Sequence, residues 1–397
     1  GPAGPAFAAK ESLKSGLLYR RFRKCCANVR VDVKAVKVGW SLARSKVTAS
    51  AMDMKAYRYG SLSGTGLYRK WEGNEEVQGK EIKRGACLGA GVIGAGWATN
   101  FLMKGVPTAV YTRRPESLER VRRSIEKNLE FLVKKDLLTR DFVKQALEMV
   151  EYTTDIKTAV QDVQFIQESL PEEYELKQAV LAEVEKYADP AAVIASSTSG
   201  LLITEIAKPL QHPERFLGGH PYNPPHLIPL VEIIKGERTS DEAVRTAYDF
   251  YTRLGKEPVV LNKEVVGFIA NRLQLALYRE AIDLVMRGVC SVEDIDKAVV
   301  YGPGLRYAAL GPNLAFHLGG GEKGIKGLMS ALKESTEMRL RDLATWNKEP
   351  EGWPDVAYEG VLREIENRPP ELGKTMEEIA EFRDNVLIEL LKLHRKL

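Results

Sequence analysis

The 397 residues carry 58 Lys and Arg against 54 Asp and Glu, with 44% hydrophobic and 28% charged residues. That length accommodates two to three domains, and the balance is that of an ordinary globular chain rather than a disordered or fibrous one. No apolar run reaches the ~18 residues of a membrane span. Cys25, Cys26, Cys87 and Cys290 form no C-x-x-C pair, so neither a zinc site nor a disulfide framework is indicated and no metal is expected; a reducing, cytoplasmic setting fits.

Charge is unevenly spread. Residues 1–70 hold 15 Lys and Arg against 3 Asp and Glu, while the remainder holds 43 against 51. A basic head on an acidic body points to an extension rather than a nucleic-acid-binding fold. Residues 1–78 therefore read as a poorly structured basic extension, with the Arg-rich, acid-poor composition that organellar targeting also uses.

From residue 80 strands alternate with helices. Ile82-Lys-Arg-Gly-Ala-Cys-Leu88 reads as a first strand interrupted by Arg84 and Gly85. It leads into Gly89-Ala-Gly91-Val-Ile-Gly94, the G-x-G-x-x-G spacing in which a strand turns sharply into a helix and the backbone can approach a pyrophosphate. Gly89, Gly91, Val92, Ile93 and Gly94 are thus candidate cofactor contacts. A helix follows to Lys104, Gly105 caps it, and Thr108-Ala-Val-Tyr111 reads as the second strand of a βαβ unit. Helices are predicted over 115–134, 139–149 and 173–187, with buried strands at 164–168, 192–196, 230–234 and 258–261. This alternation predicts a doubly wound parallel sheet of Rossmann type, with ligands beyond the carboxyl ends of its strands. Segment 79–262 is then the dinucleotide-binding domain and 263–397 an all-helical second domain. In the latter, Leu273, Leu277, Ala281, Leu284 and Val285 recur at helical spacing and predict a helix buried along one side. Ser291-Val-Glu-Asp294 opens another helix with a capping box. Segment 301–325, rich in Gly and Pro, reads as loop, and 371–397 as a helix with an apolar stripe.

Two residues stand out chemically. His220 follows a predicted strand among Gly218, Gly219 and Pro221, and imidazole can take a proton near neutral pH. Glu232 is the one acid within the apolar strand Leu230–Ile234, a costly place for an unpaired charge. Composition alone equally permits a histidine satisfied in a loop and a glutamate on a solvated face.

The glycine loop, Ser196-Ser-Thr-Ser-Gly-Leu-Leu-Ile-Thr, Gly219-His-Pro-Tyr-Asn-Pro-Pro, Leu230-Val-Glu, Gly267-Phe-Ile-Ala-Asn-Arg-Leu and Ser291-Val-Glu-Asp-Ile-Asp296 occur in one order. In that order they resemble the L-3-hydroxyacyl-CoA dehydrogenase family over residues 80–345. His-Pro-Tyr-Asn-Pro-Pro, with Gly302-Pro-Gly-Leu-Arg-Tyr and Gly311-Pro, is most similar to the branch of L-carnitine dehydrogenase and lambda-crystallin (L-gulonate 3-dehydrogenase), which acts on small free 3-hydroxy acids. The resemblance implies an NAD- or NADP-dependent oxidation of a 3-hydroxyl to the 3-keto compound. His220 would be the general base and Glu232 would orient it. Ser199 and Asn271 would contact the reacting oxygen or a neighbouring group, Asn223 would lie beside nicotinamide and substrate, and Glu172 would help shape the site. The helical domain would close the cleft and form a homodimer. Three readings follow: a 3-hydroxyacyl-CoA dehydrogenase, a free hydroxy-acid dehydrogenase, or a catalytically silent, crystallin-like binding protein.

The chain departs from the family at the end of the second strand. There Thr112, followed by Arg113 and Arg114, stands where a carboxylate normally takes the ribose hydroxyls, which leaves NAD and NADP both open. Arg306 is a candidate clamp for a substrate carboxylate and an equally good structural ion-pair partner.

Overall fold

Eight short strands, each four to six residues long, are read from the computed structural model, which describes residues 81–397. The basic extension 1–78 lies outside the described residues. The strands are β1 (Gly85–Leu88), β2 (Thr108–Tyr111), β3 (Val150–Thr153), β4 (Phe165–Glu168), β5 (Val193–Ser196), β6 (Phe216–Pro221), β7 (Leu230–Ile234) and β8 (Glu257–Leu261). They form one sheet in the order β3-β2-β1-β4-β5-β6-β7-β8. Every pairing is parallel except β6 with β7. The Rossmann-type expectation is met, with the antiparallel β6–β7 link added.

Apolar strands without alternation are what a sheet covered on both faces requires. Cys87, Val110, Phe165 and Leu217 pack with Trp97 and Phe101 of α1 (Val92–Met103), Val121 and Ile125 of α2 (Glu116–Lys134) and Ala146 of α3 (Arg140–Glu148). The residues one step along, Ala86, Leu88, Ala109 and Ile166, pack on the opposite face. Their partners are Val160 of α4 (Ile156–Val160), Leu181 of α5 (Tyr174–Glu185) and Ile206 of α6 (Ile203–Ile206). Helix α7 (Asp241–Arg253), capped by Ser240, returns Phe250 and Tyr251 to the first face. Gly85, an interruption in the sequence pattern, has a packing reason: a Cβ there would lie 2.7 Å from the Phe101 ring.

Beyond β8 the chain is helical. α8 (Ala270–Met286) leads to α9 (Val292–Val299), which opens with the expected Ser291–Asp294 capping box. Two expectations need correction here. The α8 stripe is not buried: Leu273 is 62% and Leu277 51% exposed, and Ile282 alone on this helix is fully buried. Helical spacing marks an apolar face but not what covers it. Nor is 301–325 a loop. A π-helical turn (Val300–Gly304) runs into helices Leu305–Ala309 and Pro312–Gly319. Pro312 sits in a first helical turn, where it costs no hydrogen bond, so these Gly and Pro residues punctuate helix ends rather than abolish helix. The last helix, Met376–Leu393, has a Thr375–Glu378 capping box, and its Ile388 packs with Leu132 and Leu227. Among the described residues no helix is long and apolar enough to cross a membrane.

Candidate active site

The glycine loop has the geometry a phosphate cradle needs, for reasons visible atom by atom. Gly89 has φ +125°, and a Cβ on it would lie 2.4 Å from the Ser169 carbonyl oxygen. Gly94 brings α1 so close that a Cβ would stand 2.2 Å from the Gly89 oxygen. A Cβ on Gly91, at the N-cap of α1, meets nothing within 4 Å. The loop therefore offers helix N-terminal N–H groups to open space, as a bound pyrophosphate requires. Val92 is largely exposed and Ile93 half-buried beside it. The residues fit a dinucleotide.

His220 lies inside β6 rather than after it, and the antiparallel register sets it opposite Glu232 of β7. Both are buried, and His220 Nδ1 is 2.8 Å from Glu232 Oε2. A carboxylate on Nδ1 fixes the proton there and leaves Nε2 as the acceptor. Among the described residues Nε2 has no hydrogen-bond partner. The other Glu232 oxygen, Oε1, accepts the backbone N–H groups of Ile269 (2.8 Å) and Ala270 (3.0 Å) at the start of α8. Burial alone would raise the Glu232 pKa, but the His220 bond and these two amides outweigh it and hold the carboxyl below its usual range. One carboxylate thus orients the imidazole and pins the first turn of the helical C-terminal region to the sheet.

That first turn carries Asn271, whose Nδ2 donates to the Ser199 carbonyl at 3.0 Å. The loop holding Ser199 is wrapped around Glu172. Oε1 of Glu172 accepts the Thr198 hydroxyl (2.6 Å), the Ser199 amide (2.7 Å) and hydroxyl (3.2 Å), and the Gly200 amide (3.1 Å). Despite its partial burial, Glu172 has a lowered pKa, because the Thr198 bond, the Lys177 charge and the amides favour the ionised form. An unbroken chain of contacts therefore joins His220, Glu232, the start of α8, Asn271, Ser199 and Glu172.

Three supports leave no mark in the sequence. Lys177 is buried, with Nζ 2.8 Å from Glu168 Oε1 and 3.6 Å from Glu172 Oε2. Gln167 donates to the Gly219 carbonyl (3.2 Å) and accepts the Tyr251 hydroxyl (2.7 Å), fixing the strand just before His220. Lys256, also buried, donates to the carbonyls of Pro225 and Ile228 and lies over the Trp97 ring at 5.3 Å. It ties the loop after His220 to the nucleotide helix, and burial, with the Lys104 charge adding, pushes its pKa down to about 7. No sequence signal marks these residues, since Gln167 and Lys256 pair across the sheet order and Lys177 meets Glu168 only once α5 folds back over the end of β4.

The remaining expectations divide. Asn223 is exposed and lines a cavity of about 640 Å³ with Val92 and residues of α2 and the last helix. Thr112 is buried at the end of β2, and Arg113 beside it is exposed. Arg306 is exposed and makes no side-chain hydrogen bond or ion pair among the described residues; nothing in the structure joins it to His220. Among those residues no group of three or more His, Cys, Asp or Glu side chains could hold a metal ion.

A Rossmann sheet with a glycine cradle, and a carboxylate-held histidine beyond it, defines a nicotinamide-dinucleotide-dependent dehydrogenase. Residues 85–265 match the NAD-binding domain of 3-hydroxyacyl-CoA dehydrogenase and residues 267–351 its C-terminal domain. The chain is 38% identical over 313 residues to an L-carnitine dehydrogenase of Oceanobacillus iheyensis, covering 79% of this chain and 98% of that protein. A Streptomyces coelicolor L-carnitine dehydrogenase is 37% identical over 80% of this chain and 96% of its own. Among solved structures, a 5-formyl-3-hydroxy-2-methylpyridine 4-carboxylic acid 5-dehydrogenase, described as an NAD+-dependent dismutase, superposes with a TM-score of 0.65. It has 29% identity, and the match covers 79% of this chain and 98% of that one. The chain belongs to the 3-hydroxyacyl-CoA dehydrogenase family, and it is an NAD(P)-dependent enzyme that oxidises a 3-hydroxyl group.

Proposed function

We propose that this enzyme oxidises a small free 3-hydroxy acid of the carnitine or gulonate kind, with His220 as general base. The observation that carries the base assignment is the buried 2.8 Å His220–Glu232 pair, with Nε2 left free to accept. When bound, the nicotinamide accepts the hydride from the carbinol carbon. His220 takes the hydroxyl proton at Nε2, Glu232 stabilises the imidazolium, and the carbon–oxygen bond becomes the ketone of the product. Ser199 and Asn271 border the reacting group, and Glu172 holds their loop in place. Asn223, with Val92 and Ile93, borders the cofactor.

The free-acid reading rests on the L-carnitine dehydrogenase relatives. Initial rates with L-carnitine, L-gulonate and 3-hydroxybutyryl-CoA, measured in parallel, test it. A free acid is expected to exceed the thioester in kcat/KM by at least about tenfold, the worth of one well-placed polar contact. Turnover of the thioester alone overturns the substrate assignment, and no turnover of any of the three favours the silent reading.

We further propose that residues 79–262 form the dinucleotide domain and 263–397 a substrate and dimerisation domain. The second is supported by apolar side chains left uncovered on it, among them Leu273, Leu277, Leu305, Leu314 and Leu318. Large apolar side chains exposed in such number on one helical region are what a partner subunit would cover. Light scattering is expected to give twice the chain mass, and Leu277→Glu to lower it towards one; a monomeric wild type at micromolar concentration sinks the dimer. The free thiols Cys87 and Cys290 fit the cytoplasmic location proposed with it.

A further inference from the structure

The end of β2 is built differently from a site for a bare ribose. Tyr111, the last residue of β2, gives its carbonyl to the Gly89 N–H at 2.9 Å. The next residues therefore lie beside the first glycine of the dinucleotide loop, where the adenosine ribose of a bound cofactor is read. They are Thr112, Arg113 and Arg114, and none is a carboxylate. Thr112 is buried, with its backbone N–H bonded to the Thr153 carbonyl at 3.2 Å. Asp155, whose charge also reaches the Tyr111 ring, is occupied at the start of α4. Its oxygens take the Lys157 and Thr158 amides and the Thr158 hydroxyl.

The two arginines contrast with their neighbours. Arg122 pairs with Glu126 at 3.1 Å, Arg123 with Glu119 at 2.8 Å, and Arg140 with Glu130 at 3.3 Å. Arg113 and Arg114 are exposed and make no side-chain hydrogen bond or ion pair among the described residues. Glu116 and Glu119 stand in the first turn of the helix that follows, yet neither forms an ion pair with these two guanidiniums. A ribose diol is held best by a carboxylate that takes both hydroxyls, and residues 112–114 supply none. A 2′-phosphate needs donors and positive charge, and guanidinium is the side chain best matched to it.

We propose that Thr112, Arg113 and Arg114 form a 2′-phosphate subsite that makes this enzyme prefer NADP(H) to NAD(H). The two guanidiniums take the phosphate oxygens, and the Thr112 position, being short and uncharged, neither repels nor crowds them. The inference concerns the adenosine end of the cleft and does not depend on which hydroxy acid is oxidised.

Binding tests it without turnover. Fluorescence titrations of the full chain with NADPH and NADH are expected to give a Kd at least about tenfold lower for NADPH, the scale of one or more charge-assisted contacts. Adenosine 2′,5′-bisphosphate should displace NADPH at concentrations where 5′-AMP does not. Arg113→Ala with Arg114→Ala should abolish the difference by weakening NADPH while leaving the NADH Kd unchanged, and Thr112→Asp should invert the preference. NADH binding as tightly as NADPH, or the double arginine variant keeping its preference, overturns the subsite. Binding of neither nucleotide overturns it together with the dinucleotide cleft itself.

Discussion

His220→Asn is expected to lower kcat by about 10³, within the range of positioned general-base catalysis, while the chain folds and binds nicotinamide dinucleotide as before. The ring is lost but the glycine cradle is untouched, and asparagine can still donate to Glu232 across the β6–β7 pair. Glu232→Ala should behave differently, because that carboxylate has two jobs. It holds Nδ1 of His220 and accepts the amides of Ile269 and Ala270. Removing it frees the ring and strands two amides, so activity falls and stability drops by about 3 kcal/mol, as for loss of one partner in a buried charged network. Glu232 also sets an acid limit. Its folded pKa lies below its ordinary value, so its contribution to stability is complete above that ordinary value and disappears as pH falls through the lowered one. Melting curves between pH 3 and 6 should show the acid loss in wild type and a shallower one in Glu232→Ala. If His220→Asn retains more than a tenth of wild-type kcat, the imidazole is not the base. If Glu232→Ala melts as wild type does, the anchoring of α8 is wrong.

The residues legible in the sequence are those whose signal is local. Gly89, Gly91 and Gly94 sit five residues apart in all and need only one turn to make sense, the tight turn from β1 into α1 that their missing Cβ atoms allow. His220 and Glu232 were singled out as a histidine among glycines and a charge in an apolar strand, but their pairing is a property of the antiparallel β6–β7 register, which spacing alone does not reveal. Lys177, Gln167 and Lys256 were illegible for a related reason. Gln167 and Lys256 meet the Gly219 and Pro225 carbonyls only through the sheet order, and Lys177 meets Glu168, nine residues back, only once α5 folds over the end of β4. The apolar stripe of α8 shows the opposite limit. Leu273 and Leu277 have the periodicity of a core helix, and periodicity cannot distinguish a face covered by its own chain from one left for another. In 301–325 the glycines and prolines read as breakers, whereas Gly311 and Pro312 begin a helix.

The buried Lys177–Glu168 pair carries the second large expectation. Both side chains are almost wholly removed from solvent, and their atoms are 2.8 Å apart. Ser196 donates its hydroxyl to the same carboxylate, and Lys177 also reaches the Leu170 carbonyl at 3.1 Å. Lys177→Met removes one charge and leaves the other buried, which costs about 3–5 kcal/mol. For a cooperative unit of this size that lowers Tm by about 10 °C. The loss should also reach the site. Lys177 lies 3.6 Å from Glu172, and Glu172 holds the Thr198, Ser199 and Gly200 loop. With that neighbouring charge gone, the Glu172 carboxyl is less strongly held in its ionised form, the loop loosens, and KM for the hydroxy acid rises more than kcat falls. Adding Glu168→Gln to Lys177→Met removes the unpaired charge while keeping an acceptor for Ser196. The double variant is therefore expected to recover more than half of the lost stability, with a coupling of more than about 1 kcal/mol between the two positions in a double-mutant cycle. KM should stay raised in the double variant, since Glu172 still lacks its lysine. Additive stability losses, or a KM restored along with Tm, would mean that Lys177 supports Glu168 alone and that the loop around Ser199 is held by Glu172 without its help.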